Sequence, residues 1–149
     1  MRALVTGATG FVGHYLIRLL QEHGHDVCGT YFIDSKNEGF NDVRLERLDV
    51  TQKEKVRQVI ENFLPDEIYH LAAIAATSGI EREIYYRTNY LGTYTLLDAA
   101  ADIVPSSRVL LISSANAYGQ VPDNCQPIKE NQELRPVNHY AAAKAAADM

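Results

Sequence analysis

The sequence predicts an α/β chain, a doubly wound parallel sheet with helices on both faces. Two observations predict it. Short strand-like apolar runs alternate with longer helical ones through five strands. The first of those strands runs straight into three glycines, Gly7, Gly10 and Gly13, which open an amphipathic helix. Right-handed crossovers leave few topologies for such a chain, and the order 3-2-1-4-5 leads among them.

Residues 2–6 (RALVT) form a compact apolar run bounded by Gly7, the pattern of a strand buried on both faces. Helical periodicity follows over 11–24, with Val12, Tyr15, Leu16, Leu19 and Leu20 on one side and Gly24 as the stop. Residues 26–32 read as the second strand, 33–42 as a polar loop and 43–50 as the third strand. Thr51 and Glu54 predict a capping box for a helix over 52–64, which ends before Pro65. The fourth strand is 67–73. A long helix from about Glu81 to Ala101 follows, with Tyr86, Tyr90, Leu97 and Ala101 at helical spacing. A fifth strand covers 108–114. Residues 115–137 hold three prolines and read as a loop of a length that is unusual unless functional. The chain ends in "NHYAAAKAAADM", helical by its alanine content, in which Tyr140 and Lys144 stand one turn apart on one face.

Composition narrows the functional classes. A chain of 149 residues with 46% hydrophobic and 22% charged residues suits one globular domain, here residues 1–149. A net charge of −5 argues against a nucleic-acid partner, and no apolar run is long enough for a membrane span. Cys28 and Cys125 lack metal or redox spacing and read as reduced thiols of a cytoplasmic protein.

The glycine turn carries chemistry. Glycine lets the backbone approach a pyrophosphate, which then sits on the unpaired amides of a helix N-terminus. The spacing "TGATGFVG" resembles the short-chain dehydrogenase/reductase superfamily, in particular its extended branch of nucleotide-sugar epimerases, dehydratases and reductases. The resemblance runs through "LDV" (48–50), "HLAA" (70–73), "NYLGTYTLLDAA" (89–100), "ISSANAYG" (112–119) and "PIKENQELRPVNHYAAAK" (127–144). It implies a Rossmann-like fold and a nicotinamide cofactor held by Gly7, Thr9, Gly10, Phe11, Val12, Gly13, Tyr31, Asp49, Val50, Leu71, Ala72, Ala73 and Asn89, with Asp49 and Val50 on the adenine. Tyr140 and Lys144 would touch the cofactor too. By the same resemblance Tyr140 is the proton donor or acceptor at a sugar hydroxyl or carbonyl. Lys144 tunes Tyr140 and bonds the nicotinamide ribose. Ser114, with Ser113 as its neighbouring alternative, bonds the substrate oxygen. Lowering a phenol by about three pKa units takes roughly 4 kcal/mol, which a nearby ammonium can supply in part.

Two departures from the family pattern bear on specificity. Members that use NAD commonly place an acid at the end of the second strand; that position is Tyr31, the nearest acid is Asp34, no arginine stands nearby and the nearest cation is Lys36. The missing carboxylate points to NADP, or to tolerance of both cofactors. Members that dehydrate sugars resemble a Ser/Thr-x-Glu pattern where Asn116 stands, so dehydration is disfavoured. Reduction of a 4-keto-6-deoxy sugar nucleotide is expected first, as in the reductases acting on GDP-4-keto-6-deoxymannose, and UDP-sugar 4-epimerisation second. A non-catalytic dinucleotide-binding module is the alternative from another class. His70 is expected to be structural and His139 to face solvent or substrate. Members of this family are about twice as long, so the chain is expected to be a piece of a longer protein, cut before the last strands and the substrate domain. Its fifth strand is expected to be an apolar edge, with a homodimer partner to cover it.

Overall fold

Five parallel strands line up in the order β3-β2-β1-β4-β5 in a computed structural model that describes residues 1–33, 40, 43–75, 79–122 and 127–149. They are β1 (Arg2–Thr6), β2 (Asp26–Tyr31), β3 (Arg44–Arg47), β4 (Glu67–His70) and β5 (Arg108–Leu111). The expected order is the observed one. The third, fourth and fifth strands are shorter than their apolar runs, because ladder pairing stops at Arg47, His70 and Leu111. The residues beyond leave the sheet and are free to line a cleft. Asp34, Lys36 and Cys125 lie outside the described residues.

Helix α1 (Phe11–Glu22) covers one face of the sheet and α2 (Lys53–Phe63) the other. A long helical stretch follows β4 as α3 (Arg82–Tyr85), a π-helical turn (Tyr86–Leu91) and α4 (Gly92–Ile103). After β5 come a 3₁₀ turn (Ala115–Tyr118) and α5 (His139–Asp148). Leu4, Cys28, Leu48 and Ile68 of the sheet side pack with Val56 and Ile60 of α2 and Leu96 of α4. On the opposite face Ala3, Val5 and Val27 pack with Ile17 and Leu20 of α1. Cys28 is fully buried, and desolvation, with Glu46 adding to it, pushes its thiol up to about 12.

Three local expectations are corrected. The buried line of α1 is Gly13, Ile17 and Leu20, while Val12, Tyr15 and Leu19 are exposed. The helix is rolled because Gly13 seats its bare Cα on the Gly7 and Ala8 carbonyls. The capping box does not form: α2 starts after Gln52 without a side-chain cap, and the Thr51 hydroxyl instead donates to Asp49 Oδ1 at 2.7 Å. In the long helix the buried line is Tyr85, Asn89, Thr93 and Leu96, one residue earlier than the apolar spacing suggests. Asn89 and Thr93 are polar and buried because each is hydrogen-bonded, as the site below requires.

Candidate functional site

The C-terminal ends of β1, β2, β3 and β4 open into one cavity of about 740 Å³. It lies where such sheets bind ligands, beside the point at which strand order reverses between β1 and β4. Gly7, Thr9 and Gly10 form one wall. Tyr31 stands at the β2 end, and Asp49 and Val50 follow β3. Leu71, Ala72 and Ala73, which follow β4, form the opposite wall. Nine of the residues expected at the cofactor thus share one space.

The turn is built for close approach. Gly7 has φ +69°, and a Cβ there would come within 2.9 Å of Ala72 N across the cleft. Gly10 N donates to Gly7 O at 3.0 Å, and α1 starts on Gly10 with no side-chain cap. The first amides of the helix have no acceptor within it, which suits a phosphate group. Asp49 Oδ1 accepts from Thr51 N at 2.9 Å and from the Thr51 hydroxyl. Its Oδ2 has no partner among the described residues and can take an amino group.

Four residues expected at the turn and the wall do not line this cavity. Phe11 and Val12 lie exposed at the start of α1, and Gly13 lies beneath the turn. Asn89, only 1% exposed, acts from behind: its side chain accepts from Ile74 N at 2.8 Å and donates to Ile74 O at 3.0 Å, pinning the wall. Other lining residues escaped the sequence reading, notably Phe32, Ile33, Ile84 and Arg87. Arg87 adds a cation to the lining of the cavity. It sits in the π-helical turn, 56 positions from Tyr31, and no local signal at β2 could have found it.

The catalytic candidates are grouped around α5. Asn138 caps this helix, its Oδ1 accepting from Ala141 N at 2.8 Å. Tyr140 is half-buried with its ring edge-on to Tyr85, centroids 6.2 Å apart. Lys144 is 8% exposed, and its Nζ donates to the Ile112 carbonyl at 2.7 Å, two residues before Ser114. Desolvation lowers the Lys144 pKa, and Asp148 opposes the shift. Ser114 accepts from Asn116 N at 3.2 Å, so its hydroxyl proton remains available to a substrate oxygen. Ser113 and Ser114 line a second hollow of about 430 Å³ with Tyr118, Lys129, Glu130 and Asp148, while Tyr140 and Lys144 line neither space. Gly119 (φ +68°) lets the 3₁₀ turn close on the following loop, where Arg135 N donates to Ala117 O at 3.0 Å. His139 is exposed, with Nδ1 at 3.0 Å from the Tyr86 hydroxyl.

His70 is buried beneath the cleft, and burial first, then the charge of Lys144, pushes its imidazole down to about 4. An unfolded histidine titrates near 6.5, so between those values the unfolded chain binds a proton that the fold refuses. The stability tied to neutral His70 is therefore complete above pH 6.5 and is lost as pH falls toward 4, by roughly 3 kcal/mol. Urea titrations across that range should show a shallower acid loss for His70→Gln than for the unsubstituted chain. Parallel losses would remove His70 from the account. Among the described residues no cluster of His, Cys, Asp and Glu could hold a metal ion, and no helix is long and apolar enough to cross a membrane.

Comparison with known proteins adds to this geometry. Residues 3–149 match the family model described as the NAD dependent epimerase/dehydratase family. GDP-6-deoxy-D-talose 4-dehydrogenase of Aggregatibacter actinomycetemcomitans is 34% identical over 97% of this chain and 45% of its own length. dTDP-glucose 4,6-dehydratase of Haemophilus influenzae is 30% identical over 99% of this chain and 49% of its own. Among solved structures, UDP-glucose 4-epimerase of Thermus thermophilus, in complex with NAD, has a TM-score of 0.89 at 30% identity, covering 99% of this chain and 49% of that one. The chain spans about half the length of the curated relatives it matches.

Proposed function

The chain belongs to the NAD-dependent epimerase/dehydratase family, and from that premise we propose that it is the dinucleotide-binding unit of an enzyme that reduces a 4-keto-6-deoxy sugar nucleotide. The observation that carries the reading is the single cavity that joins the glycine turn, the Asp49 carboxylate and the wall after β4. The cradle fits a dinucleotide, since Gly7 packs against Ala72 too closely for any Cβ and α1 opens on Gly10 with its first amides free for a phosphate. When bound, the nicotinamide supplies the hydride.

The chain's own residues would handle the proton and the charge. Tyr140 gives its phenolic proton to the carbonyl oxygen as that oxygen becomes an alkoxide. Ser114 donates a hydrogen bond to the same oxygen and spreads its developing charge. Lys144, fixed by the Ile112 carbonyl, stabilises the phenolate left on Tyr140. Two points favour reduction over dehydration. Asn116 has no carboxylate with which to remove a ring proton, and one relative carries a 4-dehydrogenase name for a GDP-6-deoxyhexose. The close fit to a UDP-glucose 4-epimerase favours 4-epimerisation as the second reading, with the same residues moving the proton both ways. On the cofactor, NAD is favoured by that NAD-bound structure, and acceptance of NADP follows from Tyr31 in place of a carboxylate.

Calorimetric titration of the chain with NAD⁺, NADP⁺ and their reduced forms tests the first half of the proposal. Saturable binding of at least one of them is expected. A folded chain that binds none would overturn the reading of the cavity.

A further inference from the structure

Beneath the cleft lies a buried titratable group that the proposed chemistry does not use. Thr6 and His70 are register partners at the ends of β1 and β4, on either side of the point where the sheet order reverses. Above Thr6 stands the glycine turn, and above His70 the wall of residues 71–74. His70 Nδ1 is 2.7 Å from the Thr6 hydroxyl, and Nε2 is 3.0 Å from the Thr93 hydroxyl.

The protons of this network can be placed one by one. Thr93 donates its hydroxyl proton to Asn89 O at 2.8 Å, so toward His70 its oxygen accepts. Nε2 therefore carries the imidazole proton and Nδ1 is the acceptor. Thr6 donates to Nδ1, and its oxygen accepts from Ala72 N at 3.2 Å. Each hydroxyl donates once and accepts once, and each ring nitrogen has one partner. The same threonine holds Leu71 through its carbonyl, at 3.2 Å. At the other end of the wall Asn89 holds both backbone groups of Ile74. The imidazole therefore ties together three pieces of backbone that would flank a bound pyrophosphate: the end of β1, the wall, and the π-helical turn. There is no slack between the banks, since a single added methyl on Gly7 would strike Ala72.

We propose that His70 is a positioning residue for the dinucleotide: fixed as the neutral Nε2–H tautomer between Thr6 and Thr93, it sets the spacing between the glycine turn and the 71–74 wall. The inference rests on reading the cavity as a dinucleotide site. An apolar side chain of the same volume would fill the space but would orphan the Thr6 proton and leave the wall free to shift. A ligand that crosses the gap, such as NAD⁺, depends on that spacing. AMP, whose adenine and single phosphate need the Asp49 side and the glycine turn but not the 71–74 wall, does not.

Thr93→Val keeps the shape of the side chain and removes the acceptor, and Thr6→Val does the same at the other nitrogen. Each variant, with His70→Asn, is titrated with NAD⁺ and with AMP, and the imidazole nitrogens of the unsubstituted chain are followed by NMR. The Kd for NAD⁺ is expected to rise about tenfold in Thr93→Val while that for AMP stays within about twofold, as loss of one buried hydrogen bond would produce. His70 should hold the Nε2–H tautomer from about pH 8 to about pH 5.5, the range in which a free histidine titrates. Adding Thr93→Val to His70→Asn should cost nothing further. If His70→Asn fails to fold, the two valine variants decide the matter alone. Equal weakening of NAD⁺ and AMP, unchanged NAD⁺ binding in both valine variants, or a His70 that titrates in that range would each overturn the proposal. An unsubstituted chain that binds neither ligand would overturn the cofactor reading itself, and this inference with it.

Discussion

Tyr140→Phe, placed in a longer protein that turns over a sugar nucleotide, is expected to lower kcat by about a thousandfold, within the range a positioned acid or base contributes. The dinucleotide Kd should stay within about twofold, because one hydroxyl is removed and the ring is retained. The half-buried ring stands edge-on to Tyr85 at 6.2 Å, and phenylalanine keeps that contact. Steady-state kinetics beside calorimetric titration separates the two effects. A variant that keeps turnover within tenfold of the parent would show that Tyr140 does not move the proton. Loss of turnover and cofactor binding together would make it a packing residue.

Gly13→Ala should have the largest effect on the fold. A Cβ at this position would stand 2.5 Å from Ala8 O and 2.6 Å from Gly7 O, and both are backbone atoms that cannot swing aside. Helix α1 would have to lift off the turn, taking Ile17 and Leu20 partly out of the core. Such overpacking costs about 3 kcal/mol, a large share of the ~5–15 kcal/mol that holds a domain together. Dinucleotide binding should fall with it, since the lifted helix carries the amides of the turn. Gly24→Ala is the control: its φ of +74° is strained for alanine, but nothing stands within 4 Å, and it should cost only about 1 kcal/mol. Urea unfolding of both variants decides this, and equal losses would mean that α1 relieves the contact at Gly13 at little cost.

The strand order and the glycine turn could be read in advance because both are local signals. A continuous apolar run marks a strand covered on both faces, as Ala3, Leu4 and Val5 are, and right-handed crossovers do the rest. The helix faces were harder. Counting apolar residues placed Val12, Tyr15 and Leu19 on the packed side of α1, yet the roll is governed by Gly13, which has no side chain to count. In the long helix the count missed Asn89 and Thr93, whose burial is stabilised by partners more than a dozen residues away in the chain. The capping box failed for a related reason: Thr51 had a nearer acceptor in Asp49. For the site, the residues of strand ends were legible and those of the π-helical turn were not. Arg87 and Ile84 enter the cavity through a helix that crosses from β4, so only the three-dimensional path brings them there.

Cys28 makes the protein a recorder of its own opening. Only a thiolate attacks a disulfide reagent, and a thiol pushed up to about 12 supplies almost none at neutral pH. The side chain also lies in the core between the sheet and the α2–α4 layer, where no bulky reagent reaches it. In a Cys125→Ser background, each labelling event therefore marks one molecule whose sheet has come apart. The rate of labelling in excess reagent then counts excursions out of the native state, in dilute buffer or in a cell lysate, without adding a probe to the chain.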